Sequence, residues 1–460
     1  MYQIDFNTPC WIHFIGIGGI SMSGLAEVLL ERGFRVTGSD MAASPLTEKL
    51  AAEGAGIALG QRAENIEEGM QAVVYTAAIH PDNPELARAI EQGIPTLTRA
   101  ELLGQMMRNY RTAVAIAGTH GKTTTTSMVT EILLAADADP TISVGGMLDS
   151  IGGNIRVGRS DCFVTEACEY TNSFLSFYPT VGVILNVCAD HLDFFKDLDD
   201  IRHSFRLFAE KLPENGLLIL SSNIPDYEEL TRDLPCRVQT VGIRPEDDFR
   251  MDELRFDSLG RPSYTLYENG KPVGDILLGV PGEHNAWNSL AAIAVARELG
   301  LSFPVICQGL EQFAGTHRRF EKKGTLPGDV VVIDDYAHHP DEIRATLKTA
   351  KKCGREKVVC LFPPHTYTRT KALMEEFADA LSLADEVVLA EIYPARETDN
   401  LGISSRDLAE RIAARGKSVH YFATFGEIEE YIRKNLFNGE MLITMGAGDI
   451  VKVGENLLSR

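Results

Sequence analysis

Hydrophobic and polar positions along the first 110 residues follow two alternating periods. Short, nearly unbroken apolar runs such as "WIHFIGI" (11–17) and "AVVYTAA" (72–78) read as buried strands. Between them, 20–32 repeats apolar residues near i, i+3 and i+4, as a helix with one buried face does. With "RVTGSD" (35–40) as a further strand, the alternation predicts parallel βαβ units. A second series opens at Arg111 with "TAVAIAG" and continues through "CFVTEA" and "VGVILNV" to a helix near 284–299. Inside it, "DSLGRPSYTLYENGKPVG" carries Gly and Asn-Gly turn signals, which predict a small hairpin insert within 237–280. A third series starts near Phe320: "VVVIDDYA", "VVCLFPP", "EVVLAEIY", "VHYF" and "MLITMGAG", separated by helical stretches such as "SSRDLAERIAARG". The prediction is an α/β protein of three units, 1–110, 111–315 and 316–460, without low-complexity segments.

Composition narrows the class. The chain has 460 residues, 44% hydrophobic and 24% charged, as ordinary globular proteins do. No run reaches the roughly 18 apolar residues of a membrane span, and "MYQIDFNTPCWIHFIGIGG" lacks the basic start of a signal peptide. Cytoplasmic location without membrane insertion is the expectation. The 8 cysteines form no C-x-x-C pair, so neither a zinc site nor a disulfide framework is predicted. A formal net charge of -21 disfavours nucleic acid as a partner, so an anionic ligand must be held by local basic residues, amides or metal ions.

The strongest local chemistry is "AVAIAGTHGKTTTTSMV" (113–129). A strand ending at Gly118, a short glycine-bearing turn and a helix starting near Lys122 provide the context of a phosphate-binding loop. Backbone amides can approach phosphate oxygens, Lys122 can reach the terminal phosphates, and the Thr123 hydroxyl can ligate Mg²⁺. The usual first glycine is absent, because Ile116 stands there. The competing reading is a strand-to-helix turn with a polar cap, which gives no reason for a lysine between glycine and four threonines.

Oxygen ligands for Mg²⁺ should follow neighbouring strands. "TEACEYTNSF" offers Glu166 and, more weakly, Glu169; "NVCADHLDFF" offers Asp190, His191 and Asp193. Taken singly, each is as readily a solvated loop residue. A second turn, "FIGIGGISMSGLAEVLL", supplies Gly16, Gly18 and Gly19 between a strand and a helix, with Asp40 at the end of the next strand. That is a partial dinucleotide pattern, in which glycines admit a diphosphate and the acid takes a ribose hydroxyl; Ser21 replaces the third glycine. Two phosphate-binding turns in one chain favour ATP-driven transfer onto a nucleotide-linked substrate over a dehydrogenase.

Seven segments, "HFIGIGGISMSGLAEVL", "GTHGKTTTTSMV", "NVCADHLD", "GEHNAWNSLAAIAVA", "GTHRRFE", "DDYAHHPDEI" and "PHTYTRT", occur in an order that resembles the Mur ligase family of peptidoglycan synthesis. The resemblance spans nearly the whole chain. It implies an N-terminal Rossmann-like domain for a UDP-sugar, a central P-loop ATPase domain with a mostly parallel sheet, and a C-terminal Rossmann-like domain for the amino acid. By that resemblance, Gly118, Thr119, His120, Gly121, Lys122, Thr123 and Thr124 cradle ATP, with His284, Asn285, Asn288, Arg319 and Asp335 around the nucleotide. Thr123, Glu166 and His191 would hold Mg²⁺. Tyr336, His338 and Arg369 would line the amino-acid site, and the Gly16, Gly18, Gly19 and Asp40 turn would serve the UDP-sugar. "DDYAHHP" also reads as a strand end followed by helix-capping acids and a first-turn proline.

The implied reaction is ATP-dependent ligation of L-alanine to the lactyl carboxylate of UDP-N-acetylmuramate through an acyl phosphate. Lys122 would work on the phosphoryl group, with His191 and His338 as candidates for deprotonating the amine. The rivals are another ligase of the family, acting on a murein tripeptide or a folylpolyglutamate, and a nicotinamide dehydrogenase built on the first turn. A monomer or homodimer is expected. Three departures stand out: Thr366 where some relatives carry a second arginine, Cys168 where some carry an acid, and Lys211 as the sole nearby candidate for the carbamylated lysine of other members.

Overall fold

The computed structural model describes residues 2–459 apart from 77, 78, 193, 396 and 437; the candidate Asp193 lies outside the described residues. Three sheets carry the architecture. In the first, five short strands pair in parallel in the spatial order 56–59, 35–40, 11–15, 72–75, 96–98. Trp11–Ile15 is buried along its whole length, as a strand covered on both faces must be, and its apolar run shows no alternation for that reason.

The second sheet has ten strands. Its centre is parallel, with Thr112–Ala117 between Val181–Ile184 and Cys162–Ala167. Ile116 is 0% exposed in that central strand, its backbone registered against Val183 and Glu166. The strand therefore runs on through the position where a glycine is usual, and the loop begins only at Gly118. Leu217–Ser221 and Arg237–Gly242 extend the parallel part.

The expected hairpin insert is instead a three-stranded antiparallel meander, Phe249–Phe256, Pro262–Glu268 and Lys271–Leu277, that continues the same sheet. The Asn-Gly signal marks a real turn: Asn269 (φ 51) and Gly270 (φ 73) form a two-residue turn between paired Glu268 and Lys271. The buried helix Glu283–Glu298 and the helix Lys122–Ala135 cover the sheet, and their contact closes a core that includes Ile116, Ile132 and Leu290.

The third sheet orders its strands 321–326, 330–335, 441–445, 358–362, 386–389, 418–421, all parallel except the first pair. The edge strand Glu321–Leu326 (EKKGTL) was not predicted, because an exposed edge needs no apolar run. Among the described residues no helix is long and apolar enough to cross a membrane.

Candidate active site

The order of the central strands decides what meets at their carboxyl ends. Thr112–Ala117 delivers the loop 118–121, Cys162–Ala167 delivers Glu166 and Glu169, and Val181–Ile184 delivers 186–191. Gly121 adopts φ 87 as the residue before the helix, and a Cβ there would collide with the Asn288 amide. A left-handed, crowded position of this kind accepts only glycine without strain. Asn186 brackets the loop, accepting from the His120 N–H at 2.8 Å and donating to its carbonyl at 2.9 Å.

Lys122 Nζ lies 2.7 Å from Glu169 Oε2 and 3.1 Å from the Thr119 carbonyl. Burial opposes its charge, but Glu169 and the neighbouring acids more than compensate, so its pKa is raised and it is cationic at neutral pH. Glu169, placed behind Glu166 by the sequence, is thus the direct partner of the lysine, and it is 2% exposed. The Thr123 hydroxyl donates to Glu166 at 3.1 Å, and the Gly145 N–H also reaches that carboxylate. Burial holds the Glu166 pKa above the usual carboxylate range.

These residues fit a divalent cation. Thr123 and Glu166 offer the oxygens that Mg²⁺ prefers, with the His191 imidazole as a nitrogen donor beside them, and among the described residues Glu169 Oε1 is buried without a hydrogen-bond partner, 3.8 Å from His191 Nε2. A separate cluster puts donor atoms of His120, Cys188 and Asp341 within 4.8 Å of one another. A thiol-containing set suits softer metals than Mg²⁺, and Asp341 already pairs with Arg344 at 2.7 Å.

Beside the loop, a cavity of about 310 Å³ is lined by residues including His120, Gly121, Thr124, Asn285 and Asn288. His284, Arg319 and Asp335 line it too. His284 is pushed down to about 4, by burial first and then by Arg319, and is neutral at physiological pH. Asp335 accepts from the backbone N–H groups of Phe320 and Ala337, both at 2.8 Å, while burial raises its pKa to about 6. Arg319 reaches from there to the Thr123 hydroxyl at 3.5 Å.

A second cavity, about 550 Å³, is lined by His191, His338, His365, Arg369 and Tyr393 among others. Arg369 is not free in it: its guanidinium pairs with Asp190 at 3.0 Å and meets His365 Nδ1 at 3.3 Å. Thr366, at the position of the missing arginine, accepts from the Arg369 N–H and caps the short helix carrying it. Tyr336 stands beside both arginines, its ring centroid 5.0 Å from Arg318 and 5.3 Å from Arg319. Lys211 is exposed at a helix end, with Nζ 5.6 Å from the Tyr178 ring.

The first turn stands apart. Gly16, Gly18, Gly19 and Asp40 line neither cavity. Asp40 accepts from the Gly18 N–H at 2.8 Å and the Met41 N–H at 2.7 Å, closing the glycine turn. Residues that the sequence did not single out also enter: Asn186, His365 and Glu342. All three lie inside the family motifs, but neither an asparagine nor a first-turn glutamate carries a chemical signal of its own at such a place, and a lone histidine carries a weak one.

Family models match the chain in three consecutive pieces: the Mur ligase family catalytic domain over 11–111, the middle domain over 116–296, and the glutamate ligase domain over 318–448. The chain belongs to the Mur ligase family. Within that family, it is 61% identical over 459 residues to a protein of Lachnospira eligens and 55% identical over 460 residues to one of Agathobacter rectalis, each match covering 100% of both chains. Both relatives are named UDP-N-acetylmuramate--L-alanine ligase. Among solved Mur ligases, the UDP-N-acetylmuramate-alanine ligase of Thermotoga maritima superposes with a TM-score of 0.81 at 32% identity, covering 98% of this chain and 99% of that one. A murein peptide ligase of Psychrobacter arcticus shares the fold, with a TM-score of 0.71 at 24% identity over 98% of each chain.

Proposed function

We propose that this Mur ligase joins L-alanine to the lactyl carboxylate of UDP-N-acetylmuramate, driven by ATP, in peptidoglycan precursor synthesis. The observation that carries the reading is a line of close side-chain contacts from the phosphate loop to the second cavity. Lys122 meets Glu169 at 2.7 Å, Glu169 lies 3.8 Å from His191, His191 lies 3.9 Å from Asp190, and Asp190 pairs with Arg369 at 3.0 Å. A nucleotide phosphate at the loop and a small amino acid at Arg369 would therefore face a common space between the central and C-terminal domains. The names of the two full-length relatives specify which amine and which acid belong there.

In this reading a lactyl carboxylate oxygen attacks the γ-phosphorus of ATP, the bond to the bridging oxygen breaks, and ADP leaves. The amine of L-alanine then attacks the acyl phosphate carbon, a C–N bond replaces the C–O bond, and inorganic phosphate departs. Lys122 offsets charge on the transferring phosphoryl group, the electrostatic task on which such transfers mainly depend. Thr123, Glu166 and His191, with Glu169 beside them, would hold Mg²⁺, which supplies further charge neutralisation there.

His338 is the base we assign to the amine. Burial lowers its pKa, so it is neutral at pH 7. Its Nδ1 donates to the Tyr336 carbonyl at 3.1 Å, which leaves the Nε2 lone pair to accept a proton at the cavity wall. The glycine turn at 16–19, free of side-chain bulk, would lie against the UDP diphosphate, with Asp40 fixing its conformation through the Gly18 N–H.

ADP release by purified protein with UDP-N-acetylmuramate and a panel of amines tests the assignment. Turnover with L-alanine, and none with a preformed tripeptide, D-glutamate or glutamylated folate, is expected; the opposite selectivity would sink it. Arg369→Lys keeps the charge beside Asp190 but loses the planar fork suited to a carboxylate. The KM for L-alanine should rise about tenfold or more, a loss near 1.4 kcal/mol, with the KM for ATP changed much less. A larger effect on ATP would move Arg369 out of the amino-acid site.

A further inference from the structure

The contact between the central and C-terminal domains runs through the nucleotide loop itself. His120, inside that loop, places Nδ1 3.3 Å from Glu342 Oε1 on the helix Pro340–Lys352. The other oxygen, Oε2, accepts from the backbone N–H groups of His338 at 3.1 Å and His339 at 3.3 Å, and lies 3.4 Å from His338 Nδ1. The same contact is buttressed by His339, whose Nε2 donates to the Ala189 carbonyl at 3.2 Å and whose ring lies 4.9 Å from that of His120. Ala189 precedes Asp190, the partner of Arg369.

Glu342 therefore touches one residue from each half of the reaction: His120 of the loop beside the nucleotide cavity, and His338 of the wall of the amino-acid cavity. Its side chain is only 16% exposed, as is that of His120. A carboxylate so placed keeps its charge only where donors surround it, and here two backbone N–H groups and the His120 imidazole do so.

We propose that Glu342 is a positioning residue that couples the two subsites, so that occupancy of the nucleotide cavity strengthens L-alanine binding and the reverse. The proposal rests on the ligase reading above and adds to it the path by which one substrate reports to the other. ATP seats on the loop, His120 holds Glu342, and Glu342 holds the His338–His339 segment in place for the amine. Linkage requires the two effects to be equal in size.

Equilibrium binding tests this with the full-length protein, Mg²⁺ and UDP-N-acetylmuramate present. The affinity of a non-hydrolysable ATP analogue is measured with and without saturating L-alanine. In the unaltered protein L-alanine should tighten analogue binding about fivefold or more, within the usual range of coupling between sites. In Glu342→Gln the ratio should fall to about one, whatever happens to either affinity alone. His120→Asn cuts the same contact from the loop side and should also abolish the ratio. It provides the test if the Glu342 variant does not fold. A merely structural role would weaken both ligands and preserve the ratio, and that result overturns the proposal, as does a ratio of one in the unaltered protein. Absence of L-alanine-dependent ADP release in the unaltered protein would instead strike the ligase reading.

Discussion

Lys122→Met should lower ADP release about 10³-fold while UDP-N-acetylmuramate still binds. Removing a single preorganised donor from a developing charge costs on the order of 10²–10³ in rate. Lys122 carries a full charge in a largely buried site, its own side chain 15% exposed and its partner 2%, which puts it at the upper end. The variant has a second consequence, because Glu169, 2% exposed, is left without its 2.7 Å partner. An uncompensated buried carboxylate is destabilising by roughly 3–5 kcal/mol, whereas removing both charges together is close to neutral. The double variant Lys122→Met with Glu169→Gln should therefore regain most of the melting temperature lost by the single one, and regain none of the ADP release. Steady-state kinetics and a thermal melt on the same preparations separate the two effects. Recovery of turnover in the double variant would remove Lys122 from the phosphoryl-transfer role and leave it a structural counter-ion.

How much of this was legible beforehand depends on whether a residue's role is local. The loop, its helix start at Lys122 and the carboxylates at the ends of the two strands that flank it in the sheet could be read from strand endings alone. In an open α/β sheet, chain order and strand direction already place those ends together. The Asn269-Gly270 turn was likewise legible, because its backbone conformation selects its residues. Glu169 was ranked below Glu166 because nothing in "EACE" says which acid faces the lysine; that follows from the backbone after Ala167. Glu342 was invisible for a stronger reason. On its own helix it is a first-turn acid of the ordinary capping kind, and its second partner, His120, lies 222 positions away in sequence. That the Asp40 carboxylate also closes the Gly18 turn is a matter of side-chain direction that no spacing encodes. The edge strands were missed because polar edges carry no period-two signal.

The absent glycine at 116 leads to the second large effect. If Ile116 were merely a tolerated departure from the usual phosphate loop, restoring glycine would be harmless. The strand continues through it, however, and its side chain is wholly buried among Val114, Val164, Val183 and the helix residues Met128 and Ile132 in one core. Truncating a buried Ile to Ala removes about 2–5 kcal/mol through lost transfer energy and the cavity left behind. Glycine inside a strand costs roughly another 0.5–1 kcal/mol in backbone entropy. Ile116→Gly should thus destabilise the central domain by about 4–5 kcal/mol. At about 2–4 °C per kcal/mol for a domain of this size, the melting temperature should drop by roughly 10 °C or more. Saturating nucleotide should recover only part of that loss, since ligand binding adds a term set by its concentration and refills no cavity. A melting temperature within about 2 °C of the unaltered protein would mean that the strand frays before Ile116 and that the loop begins earlier. The contrast with the loop glycines is the physical point. Gly118 and Gly121 hold left-handed backbone that a phosphate-binding turn requires, whereas position 116 sits one layer deeper, where side-chain volume rather than backbone freedom holds the sheet beneath the nucleotide.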